Sequence, residues 1–193
     1  MKILLRSKFM RKVMRAFFSI FYKRKYLRGK YFDSKIMGWY WAFRSLRCRI
    51  FGENHKVPWP VHPRTLVGNA KNIIFDPDSI NVFQVPGCYW QAHDATITIG
   101  RNCFVAPNVG VITTNHDIYD PSKHVSGKSV VISDNCWIGM NSVILPGVVL
   151  GPHTVVAAGA VVTKSFEEGY CVIGGTPAKM IKKIEKNKEF NEA

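Results

Sequence analysis

The sequence predicts an all-β main domain, a prism of triangular cross-section wound from short flat strands, with a basic helical segment in front of it. Three observations carry that expectation. Aliphatic residues recur at every sixth position through the second half of the chain, small residues follow them, and the excess positive charge is confined to the first quarter. Cut from residue 131, the chain reads VISDNC, WIGMNS, VILPGV, VLGPHT, VVAAGA, VVTKSF. The second position is Ile132, Ile138, Ile144, Leu150, Val156 and Val162, aliphatic each time. The third is Ser133, Gly139, Leu145, Gly151, Ala157 and Thr163, mostly small. Ile99, Val105 and Val111 show the same period upstream, and before them Ile74 and Ile80 keep the spacing while the pattern decays. A period of six matches neither a helix, at about 3.6, nor a simple amphipathic strand, at about 2. It matches a coil in which each hexad makes one strand and one corner. The aliphatic residue points inward onto its equivalents one coil above and below, and small residues serve the crowded corners.

Taken in order, residues 1–50 form the first element. They hold fifteen Lys and Arg against one acid, Asp33, whereas the rest of the chain holds twelve of each sign. The net charge of +14 therefore belongs to this segment alone. Residues 4–22 read as an amphipathic helix. Leu5, Phe9, Val13, Met14, Phe17, Phe18 and Phe21 fall on one arc, and Lys8, Arg11, Lys12 and Arg15 on the other, with Arg6 out of place. Such a helix suits a membrane interface, where cations meet anionic headgroups. Capping the prism end and pairing with its own copies are the competing uses. No folded nucleic-acid motif accompanies the charge, so nucleic acid is not an expected partner.

Residues 51–176 are the predicted prism. Its phase breaks once, because Val111 and Ile132 lie 21 positions apart, which is not a multiple of six. The segment near 113–130 must therefore leave the coil as a loop, and loops on rigid scaffolds are where catalytic groups concentrate. His116 stands at its base, in TTNHDIYD. A neutral imidazole is a good base for a hydroxyl, provided that its other ring nitrogen is oriented. Asp117, Asp120 and a backbone carbonyl are the candidates for that partner. His93 lies one hexad before Ile99 and could face the same cleft. His124 and His153 receive no role, and His55 and His62 read as packing or surface residues. Residues 177–193 read as a short basic C-terminal helix and tail.

Five widely spaced cysteines with no CxxC pair exclude a disulfide framework and a cysteine-rich zinc site. No apolar run approaches the ~18 residues of a membrane span, and the basic N-terminus lacks the apolar core and cleavage site of a secretory signal. The expected location is cytoplasmic, with residues 1–30 available for peripheral contact on the inner face of the membrane.

The hexads, together with NHDIYD, DNCWIGMNSVILPGV, VVAAGAVVTKS and GGTPAKMIKKI, resemble the hexapeptide-repeat acyltransferases. The likeness is greatest to galactoside and maltose O-acetyltransferases and to those of capsule and exopolysaccharide synthesis. The resemblance covers about residues 65–184 and implies a left-handed parallel β-helix. It also implies acetyl-coenzyme A as co-substrate, a saccharide hydroxyl as acceptor in surface polysaccharide or glycolipid synthesis, and a homotrimer with the site between adjacent prisms. By resemblance His116 is the general base; Asp117 stands beside it among the catalytic residues as a candidate orienting partner. Gln91 takes the place of an amide that touches the acceptor or the developing oxyanion. Gly139, Met140, Ala158 and Gly159 line the pantetheine arm, and Trp137 packs near the thioester. Thr163 and Lys164 match positions that touch the nucleotide end, whose phosphates want cations, and Lys182 is a candidate second cation for it. Met140 departs from a smaller polar residue of some relatives. The three-histidine zinc pattern of γ-class carbonic anhydrases, which share the fold, is not reproduced, so no metal is expected. Acyl transfer to an amine (amino-sugar, amino acid or drug) and a non-catalytic scaffold are the alternatives.

Overall fold

A computed structural model describes residues 7–186. Two helices, α1 (Lys8–Phe18) and α2 (Met37–Phe51), precede the strands. Along the chain these are β1 (Leu66–Val67), β2 (Ile73–Phe75), β3 (Tyr89–Trp90), β4 (Ile97–Ile99), β5 (Phe104–Val105), β6 (Gly110–Val111) and β7 (Val130–Ile132). They continue with β8 (Trp137–Ile138), β9 (Val143–Ile144), β10 (Val149–Leu150), β11 (Thr154–Val156), β12 (Val161–Val162), β13 (Cys171–Gly174) and β14 (Lys179–Lys183). Three sheets form the faces of a prism: β1-β3-β6-β9-β12, then β2-β4-β7-β10, then β5-β8-β11-β13-β14. From β3 to β12 consecutive strands occupy successive faces, and every pairing except β13 with β14 is parallel, so the chain is a parallel β-helix.

The hexad positions explain the winding. All six aliphatic second positions from Ile132 to Val162 are fully buried, and so are the small sixth positions Cys136, Ser142, Val148, Thr154 and Ala160. The fifth positions Asn135, Asn141, Gly147, His153 and Gly159 all have positive φ, between 56° and 85°, as do Asn102 and Asn108 one coil earlier. Glycine and asparagine tolerate that region with the least strain, which places them at the corners. His153 is thereby a corner residue, its ring stacked on Tyr170 at 4.7 Å.

Three expectations are corrected. Ile74 is not in the stack. It is 59% exposed, while Ile73 and Phe75 point inward, because β2 pairs Phe75 with Ile99 and Ile74 with Thr98. The C-terminal segment is not a helix through residue 183. Lys179–Lys183 form β14, antiparallel to β13, after the chain turns back beyond Gly175. Its cationic strand covers an edge that would otherwise present unpaired backbone groups. Residues 187–193 of the expected tail lie outside the described residues. Finally, among the described residues the amphipathic helix spans Lys8–Phe18 and ends short of residue 22, residues 4–6 of the expected span lie outside the described residues, and half of its described apolar arc stays uncovered. Phe18 is buried against Trp39 and Phe43 of α2, yet Phe9, Val13 and Phe17 are exposed. The prism end is capped instead by the following segment, where Tyr26 stacks on Phe75 at 5.0 Å beside Trp59 and Phe83.

Candidate active site

The loop leaves the prism after β6, at the corner between the first and second faces, and its neck is pinned by the preceding turn at the same corner. Gln91 Oε1 accepts hydrogen bonds from the backbone N–H of Thr113 (3.0 Å) and of Thr114 (2.9 Å). Two N–H donors fix the amide's orientation, so Gln91 Nε2 is the end turned away from the neck as a donor. On the other side Asp94 accepts from the Thr114 hydroxyl and from Gly127 N–H (2.9 Å), tying the two strands of the neck together. The Thr114 hydroxyl and then the Gly127 N–H hold the Asp94 carboxyl below the usual carboxylate range. A depressed carboxyl stabilises the neck at and above its ordinary range, and that contribution is lost as pH falls through its folded value. Asp94→Ala is expected to raise hydrogen exchange at Gly127 and proteolytic nicking within 115–126, with a small change in melting temperature. In the unmutated protein the same loosening should appear only below the ordinary carboxylate range.

Within the loop His116 and His124 oppose each other across an antiparallel bridge, closed by Asp117 N–H to Lys123 C=O (2.9 Å) and Val125 N–H to Asn115 C=O (3.0 Å). The orienting partner of His116 is the Pro121 carbonyl, 2.7 Å from Nδ1. A carbonyl only accepts, so Nδ1 carries the proton and the neutral ring keeps its lone pair on Nε2. Asp117 is therefore corrected as the orienting partner of His116. Its Oδ1 accepts from the backbone N–H of Tyr119 and Asp120, which builds the turn that brings Pro121 back to His116. Asp120 is likewise occupied, by Ser122 and Lys123. The His124 ring lies 4.3 Å from that of His116, and His93 lies 5.5 Å beyond it. His116 thus sits at the end of a row of three imidazoles that sequence reasoning found only in part. Asp94 and Thr114 were missed as well, and the only signal for Asp94 was its place beside His93 at the corner.

The predicted donor residues divide between edges. Trp137 (55% exposed) and Met140 (43%) stand on β8 and at the corner after it, between the third and first faces, together with Gly139, Ala158 and Gly159. A Cβ on Gly139 would meet Ala158 N at 2.5 Å and Val156 O at 2.7 Å, so this glycine allows adjacent coils to touch. Around Gly159 (φ +71°) no atom lies within 4 Å of a built Cβ, and the edge there is open. Thr163 and Lys164 follow β12 at the corner that also carries His116. Lys182 pairs with Val172 and closes a cross-strand row of Trp137, Val155, Val172 and Lys182 over the third face. The two edges are separated by about five residues of the first face, roughly 16 Å of extended chain. One chain does not bring His116 to Trp137. Among the described residues no group of three His, Cys, Asp or Glu is placed to hold a metal ion, and no helix is long and apolar enough to cross a membrane.

This coil geometry defines a class. Residues 129–164 match the bacterial transferase hexapeptide (six repeats) family. The hexapeptide-repeat-containing acetyltransferase of Vibrio cholerae, solved with acetyl coenzyme A, superposes with a TM-score of 0.52 over 93% of this chain and 91% of its own, at 22% identity. That likeness shows the fold, a left-handed parallel β-helix. Among curated relatives, the galactoside O-acetyltransferase of Escherichia coli is 36% identical over 94 residues, 47% of this chain and 46% of its own length. WbbJ of the same species, named for O-acetyl transfer in lipopolysaccharide biosynthesis, is 34% identical over 126 residues, 59% of this chain and 62% of its own. The chain spans about half the length of the first curated relatives it matches.

Proposed function

We propose that this protein is an acetyl-coenzyme A-dependent O-acetyltransferase acting on a sugar hydroxyl, in the assembly of a surface polysaccharide or glycolipid. The observation that carries the reading is the Nδ1–Pro121 hydrogen bond, which leaves His116 Nε2 as an oriented base at the longest excursion from the coil. His116 takes the hydroxyl proton as the oxygen attacks the thioester carbonyl, the thiolate leaves, and no acyl-enzyme forms. The Gln91 amide supplies a donor for the developing oxyanion, an interaction that counts most in the transition state. The open edge at Ala158 and Gly159 beside Trp137 and Met140 suits the pantetheine arm. The row leading to Lys182, with Thr163 and Lys164 on the other edge, suits the phosphates. Because the base and the thioester edge lie on different corners of one prism, the active unit is a homotrimer in which His116 of one copy faces Trp137 of the next. The uncovered apolar face of α1, flanked by Lys8 and Lys12, supports peripheral attachment to an anionic membrane face.

The test is thioester consumption across a panel of sugars and amines, with His116→Ala as control. Consumption with sugar hydroxyls and not with amines is the expected result. Transfer confined to amines would reassign the acceptor, and no transfer to either would leave the prism as a scaffold.

A further inference from the structure

At the end of the prism opposite β14, a cleft of about 480 Å³ opens between the segment after α1 and the outer strand of the second face. Three separate stretches of chain converge there. Lys23, Lys25 and Arg28 come from the capping segment, Lys56 from the turn after α2, and Lys71 from the corner after β1. No acid lines the cleft, and among the described residues none of the five cations forms an ion pair. The acids nearest in the chain are Asp33, Glu53, Asp76 and Asp78, and none lines the cleft. Asp33, in an adjoining groove with Lys25 and Arg28, pairs with Arg15, Asp76 pairs with Arg101, and Asp78 accepts from the Lys30 N–H. The backbone beneath the cations is fixed by Lys23 N–H to Pro58 C=O (2.9 Å) and by buried Tyr26 packed on Phe75. Ile74, displaced from the core by the register of β2, gives the cleft an exposed apolar wall.

Five like charges around one concavity repel one another, and a multivalent anion removes that cost while several charge-assisted bonds form at once. The volume lies in the range of small-molecule sites and is too small for a track along a nucleic-acid backbone. We propose that this cleft binds a phosphate- or pyrophosphate-bearing amphiphile. Its head is held by Lys23, Lys25, Arg28, Lys56 and Lys71, and its apolar part lies against Ile74. The inference is independent of the proposed acetyl transfer, none of whose candidate residues lines the cleft.

The experiment titrates inorganic pyrophosphate into the full chain by calorimetry at physiological salt. Saturable one-site binding is expected. Lys25→Gln/Lys56→Gln should weaken it about tenfold or more, as expected for two lost charge-assisted contacts. Lys179→Gln/Lys183→Gln, which removes equal charge at the far end, should change it less than about twofold. Flotation with phosphatidylcholine vesicles containing phosphatidylglycerol separates the sources. Loss of flotation in the cleft variant identifies a lipid headgroup, and unchanged flotation with lost pyrophosphate binding identifies a soluble phosphate compound. Equal weakening in both variants, unweakened binding in the cleft variant, or no saturable binding would overturn the proposal. So would cleft-dependent binding of a DNA duplex by a protein that does not bind pyrophosphate. Circular dichroism melts of both variants verify folding, and all four substituted side chains are exposed.

Discussion

His116→Ala is expected to lower the turnover of acetyl transfer by about 10³-fold, with little change in KM for the thioester. That factor corresponds to about 4 kcal/mol of lost transition-state stabilisation. The argument rests on which atoms are engaged. Nδ1 is committed to the Pro121 carbonyl, so the only basic atom of the ring is Nε2, and truncation removes it without disturbing the neck held by Gln91 and Asp94. Asp117→Ala separates this account from one in which a carboxylate drives the base. Its carboxylate holds only the N–H groups of Tyr119 and Asp120, so its loss loosens the turn and should cost less than about tenfold in turnover. Steady-state kinetics of both variants decide the matter. A larger loss for Asp117→Ala than for His116→Ala would refute the assignment of the base.

The winding and its longest interruption were legible because both are written in the spacing of side-chain types. An inward aliphatic every six residues can hardly be anything but a three-sided coil, and a gap of 21 has to be a loop. The partner of His116 was not legible, because a backbone carbonyl has no residue signature. Pro121 reaches the ring only through the turn that Asp117 builds, and the acidic neighbours that looked like partners are consumed in making that turn. The Asp94 strut was hidden for a related reason, since its two partners, Thr114 and Gly127, lie 20 and 33 residues away. The C-terminal strand failed on a different count. AKMIKKI has helical spacing, but the free edge of β13 offers backbone partners that an isolated short helix cannot match. Ile74 was misplaced because a six-residue spacing does not say which residue of a strand faces inward. Pairing with β4 turns Phe75 in and Ile74 out, and that outward side chain becomes a wall of the basic cleft.

Gly151→Ala is expected to destabilise the protein by about 3 kcal/mol or more, although it adds a single methyl group at a position with no positive φ. The third position of the hexad is where one coil lies against the backbone of the next. A Cβ on Gly151 would stand 2.1 Å from Glu167 O and 2.4 Å from Gly169 N, both backbone atoms that cannot rotate away. The coils must then separate, which breaks the Gly151 N–H to Phe166 C=O bond (2.9 Å) and opens the stack beside Leu150. Gly159→Ala is the control with the opposite geometry. Its cost comes from φ +71° alone, about 1–2 kcal/mol, because nothing lies within 4 Å of the new methyl. Deleting inward bulk with Ile144→Ala should fall between or above them, at about 2–5 kcal/mol. Denaturant unfolding of the three variants at equal protein concentration ranks these costs. If Gly151→Ala proved no more damaging than Gly159→Ala, coil-to-coil contact would not be the reason that small residues follow each aliphatic in this repeat.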